Sequence, residues 1–390
     1  MIASTKLLAP GKADYVACVR NDRKLLLAIP DRRKPARVRT TFVVLVMLAI
    51  PGWLAWKSDW FAQAKRQEAQ VPFATAPVAQ AIATSPISTT IVRRAISNAV
   101  PTNSGLSGAD ALLEAQIALD RMALSPGSID GVNGSQTRAA LRAFQQREGL
   151  AASGAVDAET RVRLALVVPA FKHYRVEAAD LARLLPLAAT WLGKSEQPRL
   201  DYETLLELVA EKHHANPNCL GRLNPAIDWD AVAVGTELIV PAVEREAPRV
   251  KAAFIQIRLG DRTLQVFNAT NRLLAHFPCS IAQRVEKRPV GELTVAVVAP
   301  NPDYMFSPEN FPESAEAREL KTKLKLPPGP NNPVGTAWIG LNLPGYGIHG
   351  TPKPEEVGRT ESHGCFRLAN WNAEYLLRLV AIGMPVRVEQ

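Results

Sequence analysis

Cysteine is scarce in this chain: four among 390 residues, at Cys18, Cys219, Cys279 and Cys365. They are scattered, which excludes a disulfide-dense framework. There is no C-x-x-C pair and no second ligand cluster, so a structural zinc site has little to stand on. Histidine is sparse too, with six residues. A basic face is also lacking, despite a net charge of +9. Residues 1–40 hold ten Lys/Arg and three Asp/Glu, and the rest of the chain holds 36 basic and 34 acidic residues. The basicity is a local N-terminal feature, which argues against a nucleic-acid partner. Charge is nearly missing from Ala69 to Ser107, where only Arg93 and Arg94 carry it. At 390 residues the chain is too long for one core and divides into two or three domains.

One long apolar run is present. Thr40 to Trp56 follows Arg32, Arg33, Lys34, Arg37 and Arg39. Its 17 residues sit at the lower limit for a membrane-spanning helix. Pro51 and Gly52 are tolerated in such helices, and Trp53, Trp56 and Trp60 suit the far interface. The basic flank predicts residues 1–37 as a cytoplasmic tail, 38–57 as a transmembrane anchor and everything beyond as periplasmic or envelope-facing. A cleaved signal peptide with Ala62-Gln63-Ala64 as its site is the rival, but the basic region is long for that. Residues 58–107, rich in Ala, Pro, Ser and Thr, read as a flexible linker.

The chemistry concentrates near the C-terminus, in Ile348-His349-Gly350-Thr351 and Ser362-His363-Gly364-Cys365-Phe366-Arg367-Leu368-Ala369-Asn370. A thiol needs a base or a positive neighbour to become the thiolate that reacts. His349 and His363 are candidate bases, and Arg367 adds a fixed positive charge. Ser362 to Cys365 reads as a tight turn in which Gly364 allows φ > 0 and backbone N–H groups face a developing oxyanion. A lone Cys in such a turn is ordinarily just half-buried. Two histidines and the glycines together favour nucleophilic chemistry. His349, His363 and Cys365 as metal ligands form the weaker third reading.

These words, with Arg288-Pro289-Val290-Gly291-Glu292, Pro328-Gly329-Pro330-Asn331-Asn332-Pro333-Val334-Gly335 and Ile339-Gly340-Leu341 in order upstream, resemble the L,D-transpeptidases with a YkuD-type catalytic domain, over about residues 251–390. The resemblance implies Cys365 as nucleophile and His349 as general base and acid. It implies that His363 and Gly364 lie on the turn that supports the nucleophile and oxyanion, beside Ser362 and Arg367, which the residue pattern adds to the site. It implies thioester chemistry with no cofactor and no metal. The implied donor is a peptidoglycan stem peptide, cut at a diaminopimelate–D-alanine bond. An amine acceptor gives a cross-link and water gives an L,D-carboxypeptidase; a protein amine or a purely wall-binding role are further alternatives.

Upstream, residues 108–167 show three helical stretches separated by turns at 126–131 and 149–157. Asp130, Gly131, Gly134, Thr137, Phe144, Gln145, Gly149, Leu150, Gly154 and Thr160 resemble the peptidoglycan-binding type 1 domain, which implies docking on glycan or stem peptide. Residues 171–243 predict a strand, a helix over 201–214 and a closing strand. Leu223-Asn224-Pro225 and Gly235-Thr236-Glu237-Leu238-Ile239-Val240-Pro241 resemble a LysM-like unit. His213 and His214 read as a helix end where positive charge is favourable. The expected architecture is thus multidomain: a small three-helix domain, a small α+β LysM-like module and a mainly β catalytic domain, behind one N-terminal transmembrane helix. In the last of these, Asn301–Pro333 predicts a lid over the Cys365 cleft. Asn370 predicts the cap of a helix running to Ile382, with Gly383 just past its end.

Overall fold

Residues 108–164, 169–311, 314–360 and 364–390 are described by the structure, a computed structural model. The tail 1–37, the anchor 38–57 and the linker 58–107 fall outside the described residues. Among the described residues, no helix is long and apolar enough to cross a membrane.

The first module is helical, as its 3.6-residue periodicity predicts. Helices α1 (Gly108–Arg121), α2 (Ser135–Arg147) and α3 (Ala158–Arg163) pack around Leu119, Leu141 and Phe144. Two buried glutamines staple its turns. The Gln116 side chain accepts from the Gly131 N–H at 2.7 Å, and that of Gln145 accepts from the Gly154 N–H at 2.8 Å.

The second module closes with two antiparallel strands, β1 (Phe171–Arg175) and β2 (Glu237–Pro241). Short helices α4 (Ala178–Leu181) and α5 (Trp191–Glu196) follow β1, then α6 (Leu205–Lys212) and α7 (Pro217–Leu223). A capping box between Thr204 and Glu207 starts α6 later than the sequence pattern suggests. The Leu-Asn-Pro word acquires a physical reason here. The Asn224 side chain bonds both backbone groups of Ile239, at 2.9 and 2.7 Å, and so stitches the end of α7 to β2. His213 corrects the expectation of a positive helix end. It is buried with Nδ1 3.1 Å from the Pro241 carbonyl, and burial pushes its pKa down to about 4, so it is neutral.

The catalytic module is mainly β. Its eight-stranded sheet runs β11-β10-β9-β6-β12-β3-β4-β5. The strands are β3 (Phe254–Arg258), β4 (Thr263–Phe267), β5 (Leu273–Pro278), β6 (Gly291–Pro300), β9 (Ala337–Leu341), β10 (Gly347–His349), β11 (Phe366–Arg367) and β12 (Pro385–Glu389). Alternation sends Ile255, Ile257, Leu264, Val266, Ile339, Ile348 and Phe366 into one core. Helix α9 (Asn370–Leu379) covers it with Leu376 and Leu379. This helix stops three residues before Ile382. Ala369 is its N-cap, and Asn370 makes no capping bond; its side chain is used elsewhere, as shown below. Among the described residues of 301–333 stand the hairpin β7 (Tyr304–Phe306) with β8 (Leu324–Leu326), and α8 (Ala315–Glu319) between them.

Candidate active site

Strands β10 and β11 run parallel, with Ile348 beside Phe366 and His349 beside Arg367. Ile348 and Phe366 point into the core, 0% and 1% exposed. Alternation therefore turns His349, Arg367 and Cys365, one residue before β11, to the opposite face. On that face Cys365 packs in a small cluster with Trp338, Val334, Ala299 and Tyr304. Trp338 stacks on His349, the ring centroids 5.7 Å apart. The histidine and the cysteine thus stand on the same face of neighbouring strands, His349 beside Arg367 and Cys365 two residues before it.

The tautomer of His349 follows from its partner. Its Nδ1 lies 2.6 Å from the Gly350 carbonyl, which only accepts. Nδ1 therefore carries the proton and Nε2 is left as a free base. Burial, with Arg367 adding to it, pushes the imidazole down to about 3. Cys365 moves the other way. Burial pushes its thiol up to about 11, although a hydrogen bond from the Gly347 backbone and the Arg367 charge favour the thiolate. Its Sγ donates to the Gly345 carbonyl at 3.4 Å. At neutral pH the pair rests as thiol and imidazole.

The turn after His349 is held by one side chain. Asn370 Oδ1 accepts from the Thr351 N–H at 3.0 Å and the Thr336 N–H at 3.2 Å. A Cβ on Gly350 would lie 2.1 Å from that oxygen, and one on Gly335 2.0 Å from it. These two glycines admit the asparagine. Gly364 neither adopts φ > 0 nor meets anything within 4 Å of a Cβ placed on it, which corrects the expectation that it is needed for either; Gly335, at φ +62°, is the glycine the Asn370 contact requires. Ser362 and His363 lie outside the described residues.

Several residues around the site carried no legible role in the sequence. Trp338 backs the histidine, and its indole fits because Gly340 and Gly347 lack side chains: a Cβ there would sit 2.9 Å and 2.6 Å from the ring. A glycine inside a strand was the available signal. Tyr304, on β7, packs against the same cluster as Cys365, which brings the β7 part of the 301–333 segment to this face. Tyr346 lies close enough for the Cys365 charge to raise its pKa, after burial. Cys279 is fully buried and its thiol is pushed up by burial, consistent with packing alone.

Two family models match the chain. The L,D-transpeptidase catalytic domain matches residues 252–388. The "Putative peptidoglycan binding domain" matches residues 108–164. Similar proteins include the "Putative L,D-transpeptidase YkuD" of Bacillus licheniformis, 25% identical over 183 residues, 47% of this chain and 92% of that protein. The "Putative L,D-transpeptidase YqjB" of Bacillus subtilis is 34% identical over 106 residues, 26% of this chain and 51% of that protein. The "Probable L,D-transpeptidase ErfK/SrfK" of Salmonella typhimurium is 27% identical over 184 residues, 47% of this chain and 59% of that protein.

Proposed function

We propose that this chain is a cysteine-dependent peptidoglycan L,D-transpeptidase in which Cys365 is the nucleophile and His349 the general base and acid. The observation that carries the residue roles is the free Nε2 of a buried, neutral His349 on the strand beside Cys365. The match of residues 252–388 to the catalytic domain supports the reaction class.

Nε2 of His349 takes the thiol proton as sulfur attacks the amide carbonyl of a stem peptide. Backbone N–H groups at Gly364 and Cys365 hold the oxyanion; losing one such donor costs about 2.7–4 kcal/mol of barrier. The imidazolium returns its proton to the departing amine of D-alanine, leaving a thioester. An acceptor amine attacks the thioester, gives its proton to Nε2, and the thiol is restored. Ser362, His363 and Arg367 support the turn and the thiolate. No cofactor takes part.

The two N-terminal modules are read as wall-binding. For 108–164 this rests on the family match. For 171–243 it rests on two antiparallel strands enclosing helices and on the Asn224 stitch, a LysM-like arrangement. The anchor at 38–57 would place this assembly at the outer side of the cytoplasmic membrane, in the periplasm. The test is mass spectrometry of muropeptides after incubation of the chain with tetrapeptide-bearing peptidoglycan, beside Cys365→Ala. Cys365-dependent dimers joined through two diaminopimelates establish the transpeptidase. Trimmed tripeptides without dimers move the reading to an L,D-carboxypeptidase, and no Cys365-dependent change to a non-catalytic wall binder.

A further inference from the structure

Helix α9 begins five residues after Cys365, and its first three side chains all reach outside the catalytic module. Asn370 Nδ2 donates to both carboxylate oxygens of Glu211 on α6, at 3.0 and 3.1 Å. The Trp371 indole stacks on His214, 5.0 Å between centroids and 10° between planes. Asn372 donates to Ser125 of the first module at 3.1 Å and accepts from Arg245 of the connecting segment at 2.9 Å. The second module also holds the lid. Trp191 stacks on Phe306 at 4.3 Å, and the Glu316 carboxylate accepts the Trp191 and Leu192 N–H groups at 2.9 and 3.0 Å.

The Glu211–Asn370 contact has a direct bearing on the histidine. An amide side chain can sit either way round, and its partners decide which. Burial keeps the Glu211 carboxyl protonated up to about pH 8, and its unprotonated oxygen accepts from Asn370, which favours the NH₂ on that side. Pro330, whose carbonyl is 3.2 Å from Nδ2, asks the same. The Asn370 oxygen then faces the Thr351 and Thr336 N–H groups. The opposite orientation would set donors against donors at the Thr351 and Thr336 N–H groups, leaving the turn to its backbone bonds from the Gly350 N–H to Ala337 and from the Leu368 N–H to the His349 carbonyl. The Gly350 carbonyl that fixes the histidine tautomer belongs to the same peptide group as the Thr351 N–H that Asn370 holds.

We propose that Glu211, a residue of the second module, is a positioning residue for the catalytic turn: through Asn370 it fixes the His349–Gly350–Thr351 backbone and with it the free-base Nε2 of His349. The second module is then part of the catalytic device as well as a wall-binding unit. This rests on His349 acting as the base in the proposed transpeptidase.

The experiment compares the full chain with Glu211→Ala and Glu211→Gln. Two readouts are taken: kcat and KM for Cys365-dependent dimer formation, and the ¹⁵N chemical shifts of the His349 ring nitrogens. Glu211→Ala is expected to lower kcat about tenfold with KM within about twofold, as a small misplacement of a catalytic group does. It is also expected to broaden or shift the His349 Nδ1–H signature. Glu211→Gln, which keeps an acceptor oxygen and can donate to the Tyr202 hydroxyl, is expected to recover most of both. A Glu211→Ala protein with wild-type kcat and an unchanged His349 tautomer overturns the proposal. So does one in which KM alone moves, or in which Gln rescues nothing. If Ala costs the fold, Glu211→Leu keeps the volume and is judged by the same outcomes. Should the wild-type chain form no Cys365-dependent product, the transpeptidase reading fails, while the nitrogen shifts still decide the positioning role.

Discussion

Trp338 lies almost flat against His349, with 24° between the ring planes. The two face each other across the antiparallel pair of β9 and β10. The indole closes one side of the imidazole, keeps it dry and limits its rotation. It also belongs to the cluster that Cys365 packs against, so one side chain walls both His349 and Cys365.

Gly347→Ala should therefore act as a lesion of that wall. The new methyl would meet the indole at 2.6 Å, and the ring cannot yield without leaving His349. We expect kcat for dimer formation to fall by about a hundredfold, on the scale of an ångström of misplacement. Trp338→Ala should also cost about 3–5 kcal/mol of stability, since the ring is buried. Steady-state kinetics and urea unfolding of the two variants check both effects.

The reactivity of Cys365 should follow pH steeply. Its thiol, raised by burial to about 11, is almost wholly protonated at neutral pH. Only the thiolate alkylates, so the rate with iodoacetamide should rise about tenfold per pH unit from 7 towards 10. Arg367→Met removes a charge that favours the thiolate, which raises the thiol pKa further and moves the curve to higher pH. Cys279 should stay unmodified in the folded protein because it is fully buried. Peptide mapping of alkylated protein at a series of pH values measures all three. A plateau near pH 7 would contradict the neutral resting pair.

Stability should peak near neutrality. His213, His276 and His349 are held neutral, first by burial, with pKa values of about 4, about 4 and about 3. Unfolded, each titrates near 6.5. As pH falls below that value the unfolded chain binds protons that the folded chain refuses, and stability drops down to the folded pKa values. Glu211 runs in the opposite sense. Burial raises it to about 8, so the folded chain holds a proton that the unfolded chain has already lost. Its contribution declines as pH rises from the ordinary carboxylate range through 8. Three histidines outweigh one carboxyl on the acid side, which places the expected Tm maximum near pH 6.5. His276→Gln should flatten the acid limb and Glu211→Gln the alkaline one, in a calorimetric pH series.

What could be read in advance divides along the range of the interaction. Cys365, His349 and their glycine-marked turns were legible because the signal lies in consecutive residues. The strands of the catalytic module were legible because Phe254–Arg258 and Thr263–Phe267 alternate in step with the pleat. Asn370 was misread as a cap because asparagine favours that position. Its true partners include Glu211, 159 residues away, and no local pattern points so far. His213 was misread for a related reason. A helix end favours a positive charge only where water reaches it, and here β2 covers the ring. Trp338 carries no local signal for its role, which depends on which rings the sheet sets opposite each other.

The same long-range logic makes the junction of the modules a strong test of the fold. Asp120 of α1 and Arg245 of the connecting segment are 0% and 4% exposed at their side chains, and they pair directly. Arg245 Nε also donates to the Asp120 carbonyl at 2.8 Å, and His214 Nδ1 lies 2.7 Å from the carboxylate. Burial alone would push the Asp120 carboxyl up, but Arg245 and His214 hold it below the usual range. Arg245→Met would leave a buried carboxylate with the histidine alone, a loss of about 3–5 kcal/mol. Asp120→Leu with Arg245→Met removes both charges, and the buried pair itself adds little net stability once its desolvation is counted. The double variant is therefore expected to be more stable than Arg245→Met alone, by urea unfolding in a double-mutant cycle. If the two single losses simply add, the pair is not coupled, and the ion pair at the module junction has no special hold on the assembly.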